Sequence, residues 1–387
     1  MQRVANADAE RRGDGLRCSI SLCLVALLLL PVGCVLPRAT TPIIKIGMIA
    51  PFEGLYRPEG YAALYAVKLA LRECNAAGGV AGHRVELVAL NDDGDPVQAA
   101  LQARKLALDP DVMGVIGPFS RATAAAVGPP LAEAGLAWII PASAPDAVIE
   151  AYLNAFRLFA SDRALAVALL EWAARQVGED EEIWIPEIGD FTSPLLEVAR
   201  QMGHWEVWTD ATQENLPRPG PAIVALGGDA EQVADFFDRL GAKLDQSLIV
   251  GGPEAVGRVT IQRVGAAMPE LVWVTSLQDS TWPESFVLGY QELAGGLPTP
   301  EAALTYDAAR VLLDAIAYAG ASKSLPKSSK LTRTDIVAAL SATHWDGLNG
   351  LILFDAYGSW ISAPLQLYRA DSKQRFGLVQ LIGLEGD

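Results

Sequence analysis

Short apolar segments alternate with amphipathic ones between residues 44 and 142. Predicted strands at 44–49, 85–90 and 112–116 each lead through a turn into a predicted helix, and residues 136–140 return to the sheet. Strands that are apolar almost throughout are buried on both faces, and strand–helix alternation requires right-handed parallel crossovers. The pattern predicts an open α/β sheet, in which ligands bind beyond the carboxyl ends of the strands.

The alternation continues through the second half of the chain. Further strands are predicted at 183–185, 205–209, 222–226 and 248–250. A predicted helix at 300–319 has an apolar face, and short alternating runs around Asp and Gly turns after residue 350 indicate antiparallel hairpins. The predicted fold class is α/β, with two doubly wound parallel-sheet lobes.

The first 33 residues have the pattern of an export signal. Arginines at positions 11, 12 and 17 precede an apolar run, 20–30, which ends in Pro31-Val32-Gly33-Cys34. We expect cleavage before Cys34 and attachment of lipid to its thiol, as in bacterial lipoproteins, with residues 34–43 as a tether. Pro31 stands where a lipobox has leucine. An uncleaved anchor and plain secretion are therefore alternatives, although the run is short for a spanning helix.

The composition narrows the classes of partner. The formal net charge is −16, and the carboxylates are scattered along the chain. Such a surface repels phosphate backbones, so we expect no nucleic-acid partner. Cys18 and Cys23 would leave with the signal and Cys34 would carry lipid, which leaves Cys74 without a disulfide partner. The remaining chain is too long for one core, and two domains are expected.

Enzyme motifs are missing from the sequence. It contains no Gly-x-Ser-x-Gly elbow, no phosphate-binding Gly-x-x-x-x-Gly-Lys loop and no Cys-x-x-Cys pair. The three histidines lie far apart. Residues 92–95 resemble half of a calcium loop, but Asp95-Pro96 is better explained as a helix cap with proline at the first helical position. We expect no catalytic activity, no cofactor and no metal.

Seven short segments, in order and with fitting spacing, resemble the type I periplasmic binding proteins, in particular the leucine/isoleucine/valine-binding branch that serves ABC importers. They are IKIG with PFEG at 44–54, NAAGGVAG at 75–82, DDGDP at 92–96, VIGP at 115–118, PAS at 141–143, GPE at 252–254 and YDA at 306–308. The resemblance implies two lobes that close on a small ligand.

The resemblance also implies how the chain is divided. Three crossovers are expected, near residues 154–158, 275–279 and 345–350. The first lobe would consist of 44–156 with 279–345, and the second lobe of 157–278 with 346–387.

The resemblance further implies site residues. Arg121 stands where the family has a serine or threonine that takes the ligand carboxylate, and Glu254 stands where the branched-chain binders hold the ligand ammonium. Ala144 stands where the family has a threonine, and Phe191 stands where the family has a tyrosine that contacts the ligand. Asp229 occupies a position at which the family often has a tyrosine. The remaining candidates are Ser120, Thr123, Ala142, Ser143 and Tyr61.

Each candidate also has a structural interpretation. Arg121 would either pair with an anionic ligand group or point to solvent, and Glu254 would either bind ligand or complement a helix dipole. Ser120 would cap a helix, and Tyr61 would pack at the rim. In the binding interpretation, Arg121 and Glu254 face each other across the cleft.

The function expected from these observations is that of a lipid-anchored, extracytoplasmic solute-binding protein, located in the periplasm or at the outer face of the cytoplasmic membrane. It would capture a small polar metabolite, an amino acid or a related carboxylate or amide, for an ABC transporter permease. The alternative is a lobe pair that signals to a membrane partner or has lost its ligand, as the replacements Arg121, Ala144 and Phe191 suggest.

Overall fold

Two sheets, each covered by helices, form the two lobes. The computed structural model describes residues 41–177, 181–203, 205–209, 221–240, 244, 246–264, 270–278, 280–321, 331–370 and 376–382. The expected export signal and Cys34 lie outside these residues. Within the described part of the chain, no helix combines the length and the apolar character needed to cross a membrane.

The first sheet is wholly parallel, as the apolar strands predicted. Its strands are β1 (Ile43–Ala50), β2 (Arg84–Asn91), β3 (Val112–Ile116), β4 (Trp138–Ile140) and β5 (Ala155–Arg157), in the order β2-β1-β3-β4-β5. The helices between them are α1 (Arg57–Ala76), α2 (Pro96–Leu108), α3 (Arg121–Glu133) and α4 (Asp146–Ala151). Every residue of β3 and β4 is buried, because helices cover both faces of the sheet.

The second sheet has a parallel part and an antiparallel edge. Its parallel strands are β6 (Glu182–Trp184), β7 (Glu206–Trp208), β8 (Ile223–Leu226), β9 (Leu248–Gly251) and β10 (Leu271–Thr275), accompanied by α5 (Asp162–Val177), α6 (Thr192–Met202), α7 (Ala230–Leu240) and α8 (Arg258–Val264). The hairpin β13 (Leu365–Ala370) and β14 (Phe376–Ile382) pairs antiparallel with β10. The order is β14-β13-β10-β9-β8-β6-β7, and the fold class predicted from the sequence is confirmed.

Late helices return to the first sheet. They are α9 (Glu284–Ala294), α10 (Pro300–Ala321) and α11 (Arg333–Ser341). Helix α10 packs against α1 and β3, and the Tyr290 hydroxyl on α9 donates to the Ala62 carbonyl on α1 over 3.2 Å. Arg333 donates to the carbonyls of Val112 and Asp109 at the start of β3. The first lobe therefore contains early and late parts of the chain.

The first two crossovers lie side by side, because the Ala160 amide donates to the Ser276 hydroxyl at 2.9 Å. The third crossover lies further along the chain than expected. The Arg157 amide donates to the Gly358 carbonyl at 2.8 Å, and the Trp360 amide donates to the Arg157 carbonyl at 3.1 Å. Residues 358–360, and not 345–350, therefore run beside the first crossover.

The stretch expected as the third crossover belongs to a small hairpin of β11 (Trp345–Gly347) and β12 (Gly350–Ile352). Its turn is fixed to α10 because the Asp307 carboxylate accepts hydrogen bonds from the Leu348 amide at 2.8 Å and the Asn349 amide at 3.0 Å. This buried anchor holds the hairpin on the first lobe, and the chain crosses after it.

Candidate functional site

A cavity of about 320 Å³ lies between the lobes, beyond the carboxyl ends of β1, β3, β8 and β9. This is where open parallel sheets bind ligands. The first lobe contributes Pro51, Leu55, Tyr56, Glu59, Asp92, Gly94, Phe119, Ser120, Ala122, Thr123 and Glu301. The second lobe contributes Asp229, Ala230, Glu231, Pro253, Glu254, Val256, Gly257 and Leu277.

The turn after β2 places Asp92 in the cavity wall. Asp93 and Gly94 have φ angles of 54° and 72°, which bend the chain back so that the Asp92 Oδ1 accepts from the Gly94 amide at 2.9 Å. Asp95 then caps α2 by accepting from the Gln98 amide, as the Asp95-Pro96 sequence indicated. Asp92 is 0% exposed and its Oδ2 has no hydrogen-bond partner. Burial raises the pKa of Asp92 to about 6.

The start of α3 forms the adjacent wall. Ser120 is the N-cap, since its hydroxyl accepts from the Thr123 amide at 3.3 Å and bonds to the Thr123 hydroxyl at 2.7 Å. Both residues line the cavity, so Ser120 caps the helix and is also part of the cavity wall. The Ser143 hydroxyl contacts Arg121 at 3.1 Å, and the Ala144 carbonyl accepts from Arg157 at 2.6 Å. Ser143 and Ala144, together with Ala142, are not part of the cavity lining.

Arg121 is buried, with 3% of its surface exposed, and its guanidinium lies behind the cavity wall. It forms a bidentate pair with Asp162, over 2.5 and 3.1 Å, and its Nε donates to Asp190 at 2.7 Å. The ring of Phe191 lies 5.4 Å from the guanidinium carbon. Asp162, Asp190 and Phe191 come from the second lobe, so this ion-pair network joins the lobes. The guanidinium expected to meet a ligand anion is paired with protein carboxylates.

Glu254 does meet Arg121 across the cleft, but at its backbone. The Glu254 Oε1 accepts the Arg121 amide at 2.9 Å. The carboxylate therefore lies at the N-terminus of α3, where unpaired amides and the helix dipole favour an anion. Burial raises the pKa of Glu254 to about 7, although the Arg121 amide and charge oppose this.

Comparison with known proteins agrees with this geometry. Residues 43–184 match the family model described as "Periplasmic binding protein". A leucine-binding protein LivK from Thermotoga maritima superposes with a TM-score of 0.72 at 21% identity, covering 88% of this chain and 99% of that one. The chain has the type I periplasmic binding protein fold. A solute-binding protein from Rhodopseudomonas palustris in complex with p-hydroxybenzoic acid gives a TM-score of 0.71 at 18% identity, covering 89% of this chain and 98% of that one.

Relatives found by sequence are also named as binding proteins. The chain is 24% identical to Leu/Ile/Val-binding protein homolog 3 of Brucella melitensis over 253 residues, 62% of this chain and 68% of the relative. It is 33% identical to Leu/Ile/Val-binding protein BraC3 of Rhizobium johnstonii over 120 residues, 31% of this chain and 32% of the relative. The resemblance drawn from the sequence is confirmed. Both relatives are named as binding proteins.

The other candidates divide between the cavity of this type I fold and its surroundings. Asp229 caps α7, because its Oδ1 accepts from the Glu231 and Gln232 amides, each at 2.9 Å, and it lines the cavity. Phe191 is buried behind the wall against Arg121. Tyr61 lies on α1, with its ring 5.7 Å from that of Phe52, and is not part of the lining.

The sequence analysis missed several cavity residues. Tyr56, Asp92, Phe119 and Glu301 line the cavity, and none of them is among the candidate site residues named from the sequence. The signal for Asp92 was present, since it directly follows a strand whose carboxyl end points to the site. Asp190 gave no signal of its own, because its ion pair with Arg121 forms only in the folded structure.

Proposed function

We propose that this chain is an exported solute-binding protein that captures a small polar metabolite, an amino acid or a compound related to one, for an ABC importer. The observation that carries the proposal is the cavity of about 320 Å³ between two lobes, lined with carboxylates from both lobes and with hydroxyl groups from the first lobe. Its size lies within the range of small-molecule sites. Relatives named as Leu/Ile/Val-binding proteins, and a similar fold solved in complex with isoleucine, support the same class of function.

Closure of the lobes would bring the binding groups together. Arg121 already links the first lobe to Asp162 and Asp190 of the second, and Glu254 reaches α3. A ligand that touches both walls adds contacts available only in the closed arrangement, so it shifts the population toward closure. A permease would then recognise the closed form.

A thermal-shift screen tests the proposal. The protein is heated with amino acids, amides, ureas, amines and small aromatic acids. A solute present at about 100 times its dissociation constant stabilises the folded state by about 2.7 kcal/mol, so at least one class should raise the melting temperature.

Two variants on the same exposed face of α3 provide the control. Ala122 lines the cavity, whereas Ala125 is exposed and does not. Ala122→Trp should abolish the ligand-induced shift and Ala125→Trp should retain it. If no solute changes the melting temperature of the original protein, the chain is the ligand-free lobe pair considered as the alternative.

We also propose that lipid on Cys34 holds the protein at the membrane surface. The motif at 31–34, which follows an apolar run, supports this. Expressed in a bacterium, the protein should partition with membranes, and Cys34→Ser should release it or leave it unprocessed. If the unmutated protein itself keeps its first 33 residues and Cys34→Ser is retained in the membrane equally, the result would favour an uncleaved anchor. Immunoblots of fractions distinguish these results.

A further inference from the structure

The cavity wall is acidic on both sides. Six carboxylate residues line it, and no lysine, arginine or histidine is among the described lining residues; the six are Glu59, Asp92, Asp229, Glu231, Glu254 and Glu301. Within the described part of the chain, Asp92, Asp229, Glu231, Glu254 and Glu301 form no salt bridge. Arg121, whose backbone amide donates to Glu254, pairs its guanidinium with two other carboxylates, Asp162 and Asp190.

Asp92 separates this wall from an ordinary solvated acidic surface. It is 0% exposed, it lines the cavity, and its Oδ2 lacks a hydrogen-bond partner. A buried carboxylate oxygen without a partner is costly, and such groups are normally paired or hydrogen-bonded. A cationic donor in the cavity would supply the missing partner.

Two further features exclude other ligand classes. The position at the N-terminus of α3 that would favour a ligand carboxylate is taken by Glu254, which accepts the Arg121 amide. Among the described residues, the carboxylates do not converge into a group that could hold a metal ion. The negative charge is therefore spread along the cavity and does not meet at one point.

Apolar and aromatic surface lies between the charges. Leu55, Phe119, Val256 and Leu277 line the same cavity, with the ring of Tyr56. Burial and the carboxylates of Asp229 and Glu231 raise the pKa of the Tyr56 phenol, which places that ring in the negative field. Aromatic faces attract ammonium groups, and apolar walls accommodate methylenes.

We propose that the cleft binds a linear organic dication, a diamine or polyamine without a carboxylate, with one ammonium group at Asp92 and the other toward Asp229 and Glu254 of the second lobe. The inference rests on the proposed solute-binding function and specifies its ligand class. A methylene chain lies along the apolar wall, and each end neutralises carboxylates that have no cation of their own.

Calorimetric titration of the full-length protein tests this inference. The probes are 1,4-diaminobutane, 1,5-diaminopentane, butylamine, leucine and 4-hydroxybenzoate. A diamine should bind at least about tenfold more tightly than butylamine, because the second charge pairs with a second set of carboxylates. Added salt should weaken diamine binding more than butylamine binding.

Matched variants locate the contact. Asp92→Asn keeps the acceptor for the Gly94 amide and should weaken diamine binding about tenfold or more. Asp93→Asn makes the same charge change at the exposed neighbour outside the lining and should change binding less than about twofold. If Asp92→Asn does not fold by circular dichroism, Asp229→Asn, which retains the cap of α7, takes its place.

The outcomes separate the two proposals. Binding of leucine or 4-hydroxybenzoate without binding of either diamine would overturn the dication inference and leave the solute-binding function in place. Equal losses in Asp92→Asn and Asp93→Asn would also overturn it, since they would reflect the general field of the protein. Failure of every solute class to bind would overturn both proposals.

Discussion

Replacing Arg121 with alanine should lower the free energy of unfolding by about 3 to 5 kcal/mol, the cost of breaking a buried ion pair on one side. The guanidinium is 3% exposed and pairs with Asp162, whose side chain is 5% exposed. Without it, Asp162 and Asp190 would repel each other, and the Ser143 hydroxyl would lose a donor. Urea denaturation of the ligand-free protein measures the loss.

Arg163, which directly follows Asp162 in the second lobe, provides the control. It is exposed and lies 3.7 Å from Glu197, so Arg163→Ala should cost less than about 1 kcal/mol. Arg121→Lys keeps the charge but loses the bidentate geometry and should lie between the two. A loss in Arg121→Ala no larger than that in Arg163→Ala would contradict a buried network between the lobes.

Acidification should stabilise the ligand-free protein. Burial raises the pKa of Asp92 and of Asp307 to about 6 and that of Glu254 to about 7. Because these values exceed those of the unfolded chain, the folded state binds more protons between about pH 4 and about pH 7, and stability falls as pH rises through that range. From about pH 8 to about pH 5 the gain should be on the order of 5 kcal/mol.

The charges around these carboxyls act in both directions. Asp93 and Asp95 raise the pKa of Asp92, whereas Arg121 opposes the shift at Glu254 and Arg310 opposes it at Asp307. Urea midpoints measured across the range give the slope. The double variant Asp92→Asn, Glu254→Gln should flatten the slope, because two of the titrating groups are gone. Stability that falls steadily on acidification above about pH 5 would contradict the prediction.

The sheets could be predicted from the sequence because their signals are local. Apolar runs such as 112–116 and 136–140 correspond to β3 and β4, and the hairpin β13–β14 follows from its alternating pattern. The third crossover could not be located this way. Its position depends on Asp307, which holds a turn 41 residues further along the chain, and no local pattern reports such a contact.

The location of the site could be predicted from the sequence, but the ion pairs beside it could not. The residues after β1, β2, β3, β8 and β9 line the cavity, as the rule for parallel sheets predicts, whereas Ala142, Ser143 and Ala144, which follow β4, do not. The sequence did not show that Arg121 would be paired within the protein, because its partners Asp162 and Asp190 lie 41 and 69 residues away. The ligand contacts of Arg121, Glu254, Asp229 and the other candidates stay predictions.

The interleaved first lobe bears on how the protein matures. The contact between α9 and α1 joins residues that are 228 positions apart in the sequence. The hydrogen bond from Arg333 to the start of β3 joins residues that are 221 positions apart. Contacts of such long sequence separation form late and slow folding. If the chain crosses a membrane from its N-terminus, the first lobe stays incomplete until residue 352 has emerged, although the strands of its large sheet emerge first. The second sheet's parallel strands, complete by residue 275, would then be ready to fold first, and export would proceed with the first lobe still open to chaperones and proteases.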